Sequence, residues 1–153
     1  MTQDEHGLLE LLKFELKFVE DGGYGRSPRT PWRPTYIFED SPSCPNLGDS
    51  ARPHPCNECL LMKFVPNELQ NENFPCRFIP LNEKDETIDS FYRCGTQLEL
   101  EEALVCWLRN QIAQIEQPLA KPKGLLQEGA QRILQNGCSV LTTKGNLKPG
   151  SCA

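Results

Sequence analysis

This sequence has few histidines and no glycine-rich phosphate-binding motif, which limits the kinds of catalysis that it can support. Its 153 residues include only two histidines, His6 and His54. A Ser-His-Asp or Cys-His catalytic arrangement would have to use one of them, and neither lies in a recognisable context. The glycine-rich motifs G-x-x-x-x-G-K-S/T and G-x-G-x-x-G, whose backbone amides bind phosphates, do not occur. These absences favour a non-catalytic protein over an enzyme.

Long apolar segments are missing as well. The longest apolar run covers only residues 103–108, far fewer than the roughly 20 residues that cross a bilayer. The first ten residues are acidic and lack the basic-then-apolar order of a signal peptide. We therefore predict a cytoplasmic protein without a membrane span.

Positive charge is in the minority, and it is concentrated in two segments. The formal net charge of −5 argues against general nucleic-acid binding. Residues 118–153 nevertheless hold five basic residues and one acidic residue, so residues 1–117 carry a net charge of −9. This shift in charge, which coincides with two prolines, predicts a single domain over 1–117. A basic C-terminal extension, partly helical or disordered, is expected over 118–153.

The second basic segment lies near the N-terminus. Residues 22–38 contain three arginines and no acidic residue, with aromatic side chains between them. Arginine and aromatic groups together can bind phosphates, stacked bases or an acidic protein surface. Because the segment is short and the neighbouring chain is acidic, the pattern favours pairing within the molecule or docking of another protein, and disfavours nucleic acid. The candidate partner-binding residues are Tyr24, Arg26, Arg29, Trp32 and Arg33.

Two short patterns predict β-strands in the first forty residues. Apolar residues alternate with charged ones over residues 12–18, which is the period of a half-buried strand. Residues 34–39 are rich in β-branched and aromatic side chains and predict a second strand. Between residues 28 and 55, seven prolines indicate extended chain and turns rather than a helix.

The second half of residues 1–117 predicts a hairpin and a helix. Two β-prone runs within residues 75–94 flank a polar connector, and in the resulting hairpin Cys76 would face Cys94. A capping box at residues 96–99 precedes apolar residues at helical spacing, so a helix is expected over 96–117. The predicted fold class is α+β: a small antiparallel sheet with a Cys-paired hairpin, one main packing helix and a proline-rich loop that carries a metal knuckle.

Cysteine is the abundant residue type that points to a site. Eight cysteines without a secretory signal indicate metal or redox chemistry rather than a disulfide framework. Cys56 and Cys59 form a C-x-x-C motif, whose tight turn lets two thiolates bind one tetrahedral ion. The predicted hairpin adds Cys76 and Cys94, which completes a closed, structural zinc site. Two substitutes remain open as ligands, namely Cys44 and His54.

Three other interpretations of the cysteines remain, and one of them is that the protein binds no metal at all. Four thiolates also suit an iron–sulfur cluster, although the close three- and four-cysteine runs of ferredoxins are missing. Cys56 and Cys59 could instead be a redox-active dithiol, but the preceding prolines place them in a loop rather than at a helix start.

The functional hypothesis is a non-catalytic, zinc-stabilised protein-interaction module that serves as an accessory or adaptor subunit of a larger complex. The alternatives are an iron–sulfur or dithiol redox or electron-transfer protein, and a small zinc-dependent nucleic-acid-binding protein.

Overall fold

The computed structural model describes residues 2–25, 28–29, 32 and 35–117, and within these residues the protein is all-α. Three α-helices form the framework: α1 (Gln3–Glu20), α2 (Ile88–Cys94) and α3 (Gln97–Glu116). Short 3₁₀ segments lie between α1 and α2 and are joined by turns; they are Cys56–Glu58, Leu60–Phe64, Asn67–Leu69 and Pro75–Phe78. No strand is formed in this part of the chain, where a lone bridge joins Pro80 to Thr87. The predicted α+β class is therefore wrong.

Helix α1 occupies the residues predicted as the first strand. Its buried positions lie on one face of the helix; they are Leu8, Leu9, Leu12, Glu15 and Val19. The helix extends over 18 residues and its buried stripe runs from Leu8 to Val19, whereas the alternating pattern extends over only seven residues, so the longer pattern decides the structure. Thr2 begins the helix with a capping box, in which its side chain accepts a hydrogen bond from the Glu5 amide.

The second predicted strand is a turn in the structure. Residues 37–40 are turn residues, and the Asp40 amide donates to the Tyr36 carbonyl over 3.0 Å. Phe38 has a φ of 63°, in the left-handed region, which a β-strand does not accommodate. The apolar side chains of this segment pack into the core instead of forming a sheet, because Ile37 and Phe38 are both buried.

The predicted hairpin over 75–94 is wrong as well. Its first run is a 3₁₀ turn with Pro75 at its start, and its second run is α2, where the Thr87 side chain accepts from the Ser90 amide. The polar connector between the runs does turn back on itself, with the Leu81 amide donating to the Glu86 carbonyl over 2.8 Å. The helix cap formed by Thr87 therefore outweighs the β propensity of this run. Without a hairpin, Cys76 and Cys94 do not face each other as a cross-strand pair.

Helix α3 confirms the helix predicted over 96–117. Thr96 is its N-cap, and the Thr96 and Glu99 side chains form the expected capping box. The helix packs antiparallel to α1, because Lys13 lies 2.6 Å from Glu116 while Arg109 lies 2.6 Å from Glu20. Its buried residues are Leu100, Leu104, Trp107, Leu108 and Ile112. They join the α1 stripe and the buried loop residues in one hydrophobic core.

The described helices include none that is long and apolar enough to cross a membrane. The predicted C-terminal extension, residues 118–153, lies outside the described residues.

Leu104→Ala should lower the free energy of unfolding by about 2–5 kcal/mol, because it leaves a cavity between α1 and α3. Leu98→Ala, at a position on the same helix that is 65% exposed, is the control and should change that free energy by less than about 0.5 kcal/mol. Urea unfolding followed by circular dichroism measures both. Equal losses would contradict the burial of Leu104 in the helix–helix core.

Candidate functional site

Four free thiols line a single cavity of about 300 Å³ beside the core. They come from three separate segments: a turn at residues 41–47, the C-x-x-C motif, and the 3₁₀ turn Pro75–Phe78. The four residues are Cys44, Cys56, Cys59 and Cys76. Three of the four predicted metal ligands thus border one cavity, and so do both predicted substitutes, Cys44 and His54.

The C-x-x-C motif folds as a tight turn. The Cys59 amide donates to the Cys56 carbonyl over 3.0 Å, which closes a 3₁₀ turn between the two thiols. Burial raises the pKa of the Cys59 thiol, and the backbone amide of Leu61 opposes this by hydrogen bonding to the sulfur. The motif therefore places its two thiols on one tight turn, and both are partly buried.

The thiols are close enough to influence one another electrostatically. Burial raises the pKa of Cys76 to about 12, with smaller contributions from the Glu39 carboxylate and then from the other three cysteines. The charges of Cys44 and Cys56 likewise raise the pKa of Cys59. The thiols of the three segments therefore lie near enough to one another to affect each other's pKa.

Asn46 ties the Cys44 turn to the segment that leads into the C-x-x-C motif. Its side-chain amide donates to the His54 carbonyl over 2.8 Å, and its side-chain oxygen accepts from the His54 amide at 3.0 Å. Asn46 is buried and His54 is exposed, so this pair of bonds is partly shielded from competing water. Cys44 and Cys56, each two residues from this clamp, are held in neighbouring segments.

A buried acid anchors the same turn to α1. Glu15 is fully buried, and its carboxyl group accepts hydrogen bonds from three hydroxyl groups, those of Tyr24 (2.5 Å), Ser41 (2.5 Å) and Ser43. Since Ser43 precedes Cys44 directly, this network positions one wall of the cavity. Sequence reasoning missed Glu15, although its place on the apolar stripe of α1 marked it for burial.

Two arginines stack on one aromatic ring beside the thiols. The guanidinium groups of Arg52 and Arg77 lie 4.2 and 4.5 Å from the centre of the Phe74 ring. Arg52 also donates to Cys56 Sγ over 3.1 Å. Arg77 forms a bidentate pair with Glu39, at 2.6 and 3.0 Å. Arg52 thus places a positive charge beside Cys56, while the charge of Arg77 is paired with that of Glu39, which itself lines the cavity.

The thiols do not form a ready-made metal site. In the described part of the chain, no three or more His, Cys, Asp or Glu side chains are arranged to hold a metal ion. The metal knuckle that we predicted as a feature of the fold is therefore wrong, because the thiols line the cavity without adopting a ligand geometry.

Two predicted ligands remain, Cys94 and the substitute His54. Cys94 is disulfide-bonded, as is Cys106, so Cys94 offers no thiol in this structure. His54 lines the cavity but is exposed, and it is held through its backbone rather than its ring.

Of the predicted partner-binding residues that the structure describes, one is buried and two are exposed. Tyr24 is buried in the core, where its hydroxyl donates to Glu15 and accepts from the Phe38 amide. Trp32 is 76% exposed, and Arg29 is exposed too. The other two predicted residues, Arg26 and Arg33, lie outside the described residues.

Comparison with known proteins does not add a functional assignment: no protein-family description, curated protein or solved structure matches this chain.

Glu15→Gln should lower the free energy of unfolding by about 1–3 kcal/mol, because an amide nitrogen cannot accept the bonds that one carboxyl oxygen now accepts. Glu10→Gln, at an exposed position on the same helix, is the matched control and should have little effect. Thermal and urea unfolding measure both variants. If the two variants were equally stable, the buried network would not anchor the loop.

Proposed function

We propose that this cysteine-rich protein is a non-catalytic, zinc-stabilised protein-interaction module that acts as an accessory or adaptor subunit. The observation that carries the proposal is the gathering of four free thiols around one cavity from three segments of the chain. Sulfur donors in this number suit a closed, four-coordinate structural zinc ion, which leaves no open position for a reacting water.

A metal crosslink suits the part of the chain in which the thiols lie. Between α1 and α2 the described chain is built from 3₁₀ segments and turns rather than long helices, so few regular backbone hydrogen bonds stabilise it. Zn²⁺ would connect the C-x-x-C turn to the segment of Cys76 and add binding free energy to folding.

Exposure of Trp32 supports the interaction part of the proposal. A tryptophan that is 76% exposed leaves a large apolar ring in water, and tryptophan is enriched among the residues that dominate binding energy at protein interfaces. The segment over residues 22–38 is basic, which favours a partner with an acidic surface.

Protein purified under anaerobic conditions without added metal should contain one zinc ion per chain. Elemental analysis measures zinc and iron together, and removal of the zinc by a chelator should lower the thermal unfolding temperature because the crosslink is lost. Stoichiometric iron with visible absorbance would replace the proposal with an electron-transfer function. Protein that holds neither metal would contradict the zinc-stabilised module.

Trp32→Ala should abolish capture of a specific partner while leaving the unfolding temperature unchanged, because the side chain lies outside the core. Leu98→Ala, which removes another exposed apolar side chain, is the control and should retain capture. Quantitative mass spectrometry of proteins co-purified with each variant measures the difference. Identical sets of proteins on the wild type and on Trp32→Ala would contradict docking through this residue.

A further inference from the structure

We infer that two disulfide bonds tie the C-terminal extension, residues 118–153, to helices α2 and α3. Cys94 and Cys106 are the cysteines on the helices, and Cys138 and Cys152 are their partners in the extension, which lies outside the described residues. The inference is independent of the proposed zinc ion, because neither Cys94 nor Cys106 lines the thiol cavity.

The oxidation states of the cysteines leave two partners in the chain. The sequence contains eight cysteines. The four that line the cavity are free thiols, and a free thiol is not half of a disulfide, whereas Cys94 and Cys106 are both disulfide-bonded. The two cysteines that remain are Cys138 and Cys152, and both belong to the extension.

Cys94 and Cys106 are too far apart to bond to each other. Cys94 ends α2, and the next two residues, Gly95 and Thr96, are extended and lead into the N-terminal end of α3. Cys106 follows the first residue of α3 by nine positions, which corresponds to about 14 Å along the helix axis. Because the Cα atoms of a disulfide lie roughly 4.4–6.8 Å apart, each of the two cysteines requires a partner of its own.

The extension is long enough to reach both positions. Helix α3 ends at Glu116, and Cys138 follows that residue by 22 positions, a length of chain that spans up to roughly 70 Å when extended. Cys106 lies only about 15 Å back along α3, and Cys94 lies beyond the far end of this 20-residue helix, about 30 Å from Glu116. Since the extension continues directly from α3, its thiols are at a high effective concentration near both cysteines.

Charge and exposure favour the same contact. Residues 1–117 carry a net charge of −9 and the extension carries one of +4, so the two parts of the chain attract each other. Cys94 is exposed, and Cys106 is partly exposed, with the exposed side chain of Glu102 one helical turn before it. A basic segment that closes on this flank of α3 therefore gains favourable electrostatic contacts.

Each bond forms by thiol–disulfide exchange with a low-molecular-weight disulfide such as oxidised glutathione. One cysteine thiolate attacks a sulfur of the reagent and releases the other half, and the second cysteine thiolate then displaces the half that remains. Two cysteine thiols are thus oxidised, one reagent disulfide is reduced to two thiols, and the two cysteine protons pass to the released thiolates. A reducing compartment drives the exchange in reverse, so the tether makes attachment of the extension depend on the redox state.

Disulfide mapping of the full-length protein tests the inference. Protein equilibrated with oxidised and reduced glutathione, at the poise of an oxidising compartment, is alkylated, digested without reductant and analysed by peptide mass spectrometry. We expect two crosslinks, each joining a peptide of Cys94 or Cys106 to a peptide of Cys138 or Cys152, and none after reduction. Any other result, including a bond between Cys94 and Cys106, a bond between two copies of the chain or alkylation of these cysteines, would overturn the inference. Zinc is measured separately on the same sample, so either proposal can fail without the other.

Limited digestion with trypsin provides the second measurement, because the extension holds five basic residues at which the enzyme cleaves. Fragments of oxidised wild type that contain Cys138 or Cys152 should stay attached under denaturing, non-reducing conditions and separate after reduction. Cys138→Ser combined with Cys152→Ser should release them without reductant. Ser139→Ala, which changes the neighbour of Cys138 and keeps both thiols, is the matched control and should behave as wild type. Release of these fragments from oxidised wild type without reductant would contradict the tether.

Discussion

The buried carboxyl group of Glu15 is the interaction on which the loop-rich half of the structure depends. It lies on the core-facing side of α1 and accepts three hydroxyl donors, which brings Tyr24 and the turn at residues 41–43 against the helix. A polar group buried so completely is tolerated only where its hydrogen bonds are made. The chain after α1 therefore has to follow a path that brings these three hydroxyl groups to the Glu15 carboxyl group.

The loops between α1 and α2 are organised by side chains rather than by a backbone ladder. Asn46 clamps His54, and the Arg77–Glu39 pair secures the segment that contains Cys76. The result is a cavity whose sulfur atoms come from distant parts of the chain.

Local periodicity was informative where it was long and misleading where it was short. The capping box at Thr96 and the stripe after it predicted α3, because both signals depend on neighbours within four residues. The alternation over residues 12–18 was real, but it lay within a longer helical stripe that began earlier in the chain. At residues 87–94, a threonine cap outweighed a run of residues with high β propensity.

The sequence by itself determined helix α3, the lack of a membrane-spanning helix in the described chain, and the tight turn of the C-x-x-C motif. Each follows from residues that are close together in the chain. Only the tertiary structure decided that Tyr24 is buried rather than exposed, and that Cys44 rather than Cys94 shares a cavity with Cys56 and Cys76. These outcomes depend on hydrogen bonds between distant segments, from Glu15 to Ser43 and from Asn46 to His54, and no local pattern encodes such bonds.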